Sequence, residues 1–487
     1  MLLDAEQRQD DWFRDIVFDV CVCGSGPAGI TLARKLAAKG WTVGLFESGD
    51  LELKLDSQEL AEGRNIGLDY FTLDSVRQRK LGGTSGHWTG VTHPFETYDF
   101  DPNPHHPLSG WPIARSDIDP FADEAARILD LGPWETVADM FEGASGRLKP
   151  ISFRSSTPIT RFGEKYRQEL ASSKIRTYLN ATLVDLELDS SFGSVSSLTF
   201  RSYENATPFT VRAKYVALCF GAIENARFLL NANRQVSTGI GNQHDLVGRY
   251  FSEHPVFQVG SIVLRSVPRH GPVLHYIPSR DMMLKEKCLN FVLSIPSTVE
   301  ATHKRWIREA VCTTGVTQRL VQSIIGRPFQ CYDQNVFVGF EQSLNRDSRV
   351  LLSNKADRFG QRRAALDWRF NELDFHTMRT SFIEFGRQLA ASDLGRARMV
   401  DWLQAEKPQP PGIDKDVVGS FHNMCTTRMS DNPREGVVDR DCRVHGLQNL
   451  YIGGSSVFAT GSYAHPTFTI VQLALRLAEH LDGKLRS

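Results

Sequence analysis

Short apolar runs alternate along this chain with helical and turn-forming segments. Val17 to Cys23 is a β-rich apolar run, the glycine-rich GSGPAG follows, Ile30 to Ala38 is helical in composition, and Trp41 to Phe46 reads as a second strand. That order predicts a β-α-β unit opening a doubly wound sheet. Strand-turn-strand patterning returns at Ile175 to Leu188, continues through Ser197 to Phe200 and Phe209 to Val211, and ends in Tyr215 to Phe220. Between Val256 and Pro296, segments such as VFQVGSIVLR and CLNFVLSIP alternate as in an antiparallel sheet covered on one face. A helix is predicted over Glu372 to Ala391, with Asn371 as N-cap and Gly395 beyond its end; KPQPPG at Lys407 to Gly412 then breaks the chain. A second helix, buried, is predicted over Phe468 to Leu481.

The proline-rich stretch Tyr98 to Trp111 marks a crossing between domains. The pattern therefore predicts an α/β fold in two discontinuous parts. Residues 1–97, 155–255 and 415–487 form a Rossmann-type domain, and residues 98–154 and 256–414 form an α+β substrate domain built on the antiparallel sheet.

A length of 487 residues suits two domains that share a cleft. Lys plus Arg at 56 against Asp plus Glu at 57 leaves a formal charge of -1, so no basic field is available to hold a phosphate backbone and nucleic acid is not expected as a partner. The polar start through Asp4, Glu6, Arg8, Asp10 and Asp11, with no apolar run of about twenty residues anywhere, speaks against a secretory signal and a membrane span. A cytoplasmic location is the expectation. Eight cysteines are scattered, and the close pair Cys21 and Cys23 alternates inside a predicted strand without metal-ligand spacing, so buried free thiols and no metal site are expected.

The chemistry begins at the first turn. Gly24 permits a tight turn, Gly26 lets backbone approach a pyrophosphate, and Gly29 allows helix and strand to pack closely, with the phosphate facing the positive end of the helix. Glu47, about twenty residues on, ends the second strand where a carboxylate can accept both hydroxyls of an adenosine ribose. These features alone do not separate FAD from NAD. LGGTSGHWTG at Leu81 to Gly90 is a glycine- and hydroxyl-rich loop suited to close approach by a flat cofactor, and FGAIENARFLL at Phe220 to Leu230 reads as another strand-to-helix turn.

With these segments in view, the chain resembles the glucose-methanol-choline (GMC) oxidoreductase family over nearly its whole length. The segment from Phe421 to Leu481 resembles the family's closing segment, GAIENARFLL resembles its second signature, and GGTSGHWT is similar to the corresponding loop of pyranose 2-oxidases. The general style is similar to that of bacterial sugar dehydrogenases and glucoside 3-dehydrogenases. The resemblance implies an FAD-binding Rossmann-type domain beneath a six-stranded substrate-domain sheet. It implies cofactor contacts at Gly24, Gly26, Gly29, Glu47, Gly83, Thr84, His87, Trp88, Thr89, Val184, Gly221, Gly454, Ser455, Pro466 and Thr467. It implies a small-molecule alcohol or sugar as substrate, with oxygen or another acceptor to reoxidise the flavin. Three departures limit the transfer: the chain is shorter than typical pyranose oxidases, so arms for tetramer assembly are reduced; Ala459 stands where many relatives have proline; and His465 stands where pyranose oxidases have asparagine. Substrate identity and oligomeric state do not carry over.

Moving a hydride from carbon to flavin N5 requires a group that accepts the alcohol proton, and histidine is suited to it. The motif match assigns His422 as that base and His465 as the partner that orients the alkoxide or shares the role. Behind His465, Pro466 opens the closing helix, whose amides near Thr467 and Phe468 point at the flavin pyrimidine edge; on the plainer reading Pro466 and Thr467 only cap a core helix. His87 matches the histidine that carries the covalent flavin bond in pyranose oxidases, although related dehydrogenases keep a similar histidine without the bond. The alternative is a loop histidine packed beside the isoalloxazine. Structural hydrogen-bonding roles are expected for His93, His254 and His445, and Arg428 and Asp439 are expected to tie the closing segment together. Two other functions remain open at this level, a non-redox lyase on the same fold and an NAD-dependent dehydrogenase.

Overall fold

In the computed structural model, the described residues are 1–8, 12–13, 16–135, 137, 139–141, 146–172, 174–205, 207–264, 273–296, 307, 310–311, 314–326, 334–412, 417–418 and 421–487. Asp10, Asp11, Arg265 and the expected boundary at residue 415 lie outside them.

The first turn folds as the sequence predicts. Strand β1 (Val17–Cys23) leads through Gly24 to Gly26 into helix α1 (Pro27–Ala38), and β2 (Val43–Phe46) returns parallel to β1. The chain re-enters this sheet through Ile175–Leu179, which pairs parallel with β2, and through β3 (Phe209–Leu218), which pairs parallel with β1 on the other side. Two runs read separately in the sequence, Phe209 to Val211 and Tyr215 to Phe220, fall on this one strand, which ends at Leu218. Among the described residues the sheet has eight strands, extended antiparallel by Val195–Arg201 and Thr182–Leu188, parallel by Leu450–Ile452 beside β3, and parallel by Leu2–Asp4 beside Ile175–Leu179. Helix α2 (Ala222–Asn231) follows β3 directly at Gly221.

The second sheet is antiparallel throughout. Its described strands run in the order Gly395–Met399, Val256–Leu264, Gln334–Phe340, Phe291–Pro296, Val273–Pro278 and Leu148–Ile151, with Val417–Val418 also on Val256–Leu264. The family resemblance implies six strands; the described sheet has seven, the short Val417–Val418 being the addition. Helix α3 (Glu372–Ala391) covers one face with Met378, Phe382, Phe385 and Leu389, and Asn371 caps it by accepting the Leu373 amide at 2.9 Å. Gly260 permits this contact: a Cβ there would stand 2.1 Å from the Phe382 ring. Burying each such side chain contributes about 2 kcal/mol.

The packing differs from the sequence division in two places. Phe100, Trp111, Ile113, Ile118, Ala125, Ile128 and Leu129, expected with the antiparallel sheet, pack into the core of the first sheet instead. Arg349–Ala356 and Arg362–Asp367 form a separate sheet with Gly63–Asn65, and Val350, Ala364 and Leu366 join the same first core. Contiguity in sequence placed these segments with their neighbours; their apolar faces find the larger core. Among the described residues, no helix is long and apolar enough to cross a membrane.

Candidate active site

A cavity of about 350 Å³ opens where the parallel strands end, lined by Cys23 to Ala28, Glu47 and Ser48, Cys219 to Glu224, and residues of the closing segment. This is the crevice beyond the carboxyl ends of the strands where open α/β sheets bind ligands. Gly24 takes φ +99, and a Cβ on Gly29 would lie 1.9 Å from the Gly24 carbonyl oxygen, so the turn and the helix close on each other only with both glycines. Gly29 acts by this packing and does not line the cavity. A Cβ on Gly26, by contrast, would meet nothing within 4 Å. Glu47 braces the turn: Oε2 accepts from the Ser25 amide at 3.0 Å and the Ser25 hydroxyl at 2.7 Å, while Oε1 accepts from the Gly49 amide at 2.9 Å.

Gly83, Thr84, His87, Trp88 and Thr89 all line the cavity. The loop that carries them is held from behind: the Arg161 guanidinium donates to the Ser85 and Trp88 carbonyls at 2.9 and 2.7 Å, and Trp88 Nε1 donates to the Thr160 carbonyl at 2.8 Å. Two polar atoms on the cavity wall, His87 Nε2 and Gln78 Oε1, are buried without a hydrogen-bond partner. Such atoms normally cost stability unless something pairs with them. Burial, followed by the Arg161 charge, also holds the His87 pKa below the ordinary imidazole value.

At the far end, His422 lines the cavity and its ring centroid lies 4.7 Å from that of His465. His465 is not itself on the cavity wall. Its ring stacks on Phe153 at 4.8 Å, and Phe153 meets His275 of the antiparallel sheet edge-on at 4.9 Å. The two imidazoles therefore stand between the cavity and the second sheet. His465 Nδ1 lies 3.0 Å from the Val91 carbonyl oxygen, which fixes it as a donor. Burial lowers the pKa of both rings, with the His465 charge the next contribution at His422, so both are neutral at neutral pH.

Sequence reasoning missed what surrounds this pair. His422 Nδ1 lies 3.1 Å from Nδ1 of His254, a histidine read as structural, and the His422 amide donates to Glu253 Oε1 at 2.5 Å. Glu253 Oε2 accepts from the Tyr70 hydroxyl at 2.6 Å and from Asn423 Nδ2 at 2.8 Å. A carboxylate beside a histidine at Glu253–His254 was the available signal, but nothing in the spacing linked it to a residue 168 positions away. Also unforeseen are Arg77, Arg79 and Arg227 around Glu224, at 2.9, 2.6 and 2.7 Å, all on the cavity wall. Asp357 pairs with Arg227 at 2.5 Å, so three guanidiniums face two carboxylates and the cluster is net positive.

Other expectations divide. Gly221, Gly454, Ser455, Pro466 and Thr467 line the cavity. Val184 does not line it; the chain meets the cavity at Ala181, Thr182 and Leu183. Pro466 is the N-cap of helix α4 (Thr467–Arg486) rather than its first residue, and the Phe468 amide donates to Thr92 Oγ1 at 3.3 Å. His93 Nδ1 lies 2.7 Å from the Pro94 carbonyl oxygen, and His445 Nε2 lies 2.8 Å from that of Ser430. Arg428 and Asp439 each bind the closing segment but not each other; Arg428 donates to the Glu435 and Leu108 carbonyls at 2.8 and 2.6 Å, and Asp439 pairs with Arg443 at 3.0 Å. Cys21, Cys23, Cys219, Cys288, Cys425 and Cys442 are buried free thiols.

The chain is similar to known proteins over nearly its whole length. The chain is 24% identical to paromamine 6'-oxidase of Streptomyces fradiae, over 99% of this chain and 94% of that one. It is 22% identical to 2-methyl-1,2-propanediol dehydrogenase of Mycolicibacterium austroafricanum, over 96% and 95%. In fold it is similar to formate oxidase of Aspergillus oryzae RIB40 (TM-score 0.54, 16% identity, 96% of this chain and 98% of that one) and to pyridoxine 4-oxidase from Mesorbium loti (TM-score 0.56, 17% identity, 95% and 99%). Residues 345–474 match the family model described as GMC oxidoreductase. In this segment the chain is similar to GMC oxidoreductases.

Proposed function

We propose that this protein oxidises an alcohol carbon of a sugar, glycoside or other polyol, using FAD held in the cavity and His422 as the base that takes the hydroxyl proton. The observation that carries the reading is the position of two neutral imidazoles, His422 and His465, with ring centroids 4.7 Å apart, at the end of a cavity that begins at the glycine turn. Relatives named for oxidation of an aminoglycoside and of a diol support the substrate class.

The residues present fit the cofactor. Gly26 leaves open space where a side chain would intrude, and the unpartnered His87 Nε2 and Gln78 Oε1 offer polar contacts on the wall. Gly24, Gly26 and Glu47 would hold the adenosine and pyrophosphate end, and Gly83 to Thr89 with Gly454, Ser455, Pro466 and Thr467 the ring end. Bound FAD supplies the acceptor for the hydride at N5. The chain's own residues do the rest: the loop from Gly83 to Thr89 excludes water on one side, and His422, with the His465 ring packed beside it, accepts the hydroxyl proton as negative charge builds on oxygen. We assign the parallel-sheet segments to cofactor binding and the antiparallel sheet to the substrate.

Anaerobic mixing of the purified holoprotein with paromamine, 2-methyl-1,2-propanediol, glucose and fructose tests the proposal. Bleaching of the flavin by at least one of them, lost by on the order of 100-fold to 10,000-fold in His422→Ala, is the expected result. Turnover without bleaching would identify a lyase instead, and cofactor released by heat that proves to be NAD would overturn the FAD assignment. Acid precipitation of the same sample separates a covalent link through His87 Nε2, which leaves the pellet yellow, from packing alone.

A further inference from the structure

We propose that His254 is a positioning residue that holds His422 in the tautomer protonated on Nδ1, so that His422 Nε2 is the atom that accepts the alcohol proton. The inference rests on the reading of His422 as the base and specifies which of its nitrogens acts.

The argument is one of hydrogen-bond bookkeeping along a short chain of groups. The Gly461 carbonyl oxygen can only accept, so His254 Nε2, 2.9 Å away, must carry a hydrogen. A neutral imidazole has one N–H, which leaves a lone pair on His254 Nδ1. His422 Nδ1 faces that lone pair at 3.1 Å, with the rings nearly perpendicular at 84°. The contact is a hydrogen bond only when His422 donates. With its single hydrogen on Nδ1, neutral His422 has a bare Nε2.

His254 is only 3% exposed, and burial pushes its pKa down to about 3, so it stays neutral wherever His422 can work as a base. A charged His254 would offer hydrogens from both nitrogens and reverse the pattern. Registration of the two rings is set by Glu253, whose Oε1 accepts from the His254 amide at 2.9 Å and from the His422 amide at 2.5 Å. His465 is fixed by a backbone carbonyl at Val91, whereas His422 depends for its tautomer on another side chain. That dependence makes His254 more than a core histidine, since an imidazole free to populate both tautomers presents the wrong nitrogen part of the time.

Selective 15N-histidine labelling of the holoprotein, with His422 assigned by its absence in His422→Ala, reads the tautomer directly and needs no substrate. The expected spectrum has a pyrrole-type Nδ1 and a pyridine-type Nε2 at His422; the opposite pattern overturns the proposal. His254→Asn and His254→Leu then remove the same ring and differ only in whether an acceptor remains near His422 Nδ1. In anaerobic reduction by whichever of the four screened alcohols bleaches fastest, His254→Leu should be slower than His254→Asn by roughly 10-fold to 100-fold. Its His422 nitrogen signals should move toward the average of two tautomers, a change that loss of packing alone does not produce. Equal rates and unchanged signals in the two variants would also overturn it. If His422→Ala still bleaches at the wild-type rate while the tautomer is as stated, the reading of His422 as base fails and the inference about His254 stands.

Discussion

One carboxylate oxygen of Glu253 accepts the backbone amide of His422 at 2.5 Å, and its other oxygen is saturated by Tyr70 and Asn423. The loop that carries the proposed base is thus hung from a residue next to strand Val256–Leu264 of the antiparallel sheet. Because Glu253 is 3% exposed, deleting its carboxylate leaves several buried donors without an acceptor. Glu253→Ala should lose about 3 kcal/mol of unfolding free energy in a urea titration, and Glu253→Gln, which keeps one acceptor, should lose less. Equal stability of Glu253→Ala and wild type would contradict this role.

The two glycines that follow Gly24 separate folding from cofactor binding. Gly29→Ala places a methyl 1.9 Å from a backbone oxygen, so it should give little soluble protein. Gly26→Ala meets nothing within 4 Å in the protein and should fold with near wild-type circular dichroism. Its flavin content after purification should nevertheless fall well below that of the wild type, because the added methyl occupies cofactor space. Full flavin content in Gly26→Ala would be evidence against the proposed binding mode.

The pH dependence of flavin reduction follows from the direction of the histidine shifts. Burial lowers the pKa of both His422 and His465, so the proton-accepting forms persist below the ordinary imidazole value near 6.5. The rate of anaerobic reduction should therefore be flat from pH 8 through about 6.5 and decline only at more acid values. Stopped-flow measurement across that range checks it; a midpoint at or above 6.5 would show that the rings are more solvated than their packing implies.

His106 links protonation to stability. Its Nε2 accepts the Leu344 amide at 2.7 Å, and burial pushes its pKa down to about 4. A histidine depressed in the folded state gains its proton first in the unfolded chain, so its contribution is complete above about pH 6.5 and is lost as pH falls toward 4. Between pH 7 and 5 the wild type should lose about 1–2 kcal/mol more unfolding free energy than His106→Gln, which has no such proton to take up. Parallel urea titrations at the two pH values measure the difference.

Much of this protein was legible in order along the chain. The glycine turn, the strands on either side of it, helix α3 with its Asn371 cap and the buried closing helix rest on local rules of periodicity, capping and backbone conformation, and their residues follow the sequence reading closely. The motif match also brought Gly24, Glu47, His87, His422 and Pro466 to one cavity. Val184 is not among the residues lining that cavity, and the Phe468 amide donates to Thr92.

Local sequence determined the turn, the helices and the identity of two candidate histidines, because each depends on neighbours a few positions away. Only the tertiary structure decided that His254 faces His422, that Glu253 registers both, and that Phe100 to Leu129 pack with the parallel sheet. The reason is physical: hydrogen bonds between residues 168 positions apart, and the choice between two cores, depend on where the strands carry the chain, and no periodicity or spacing encodes that.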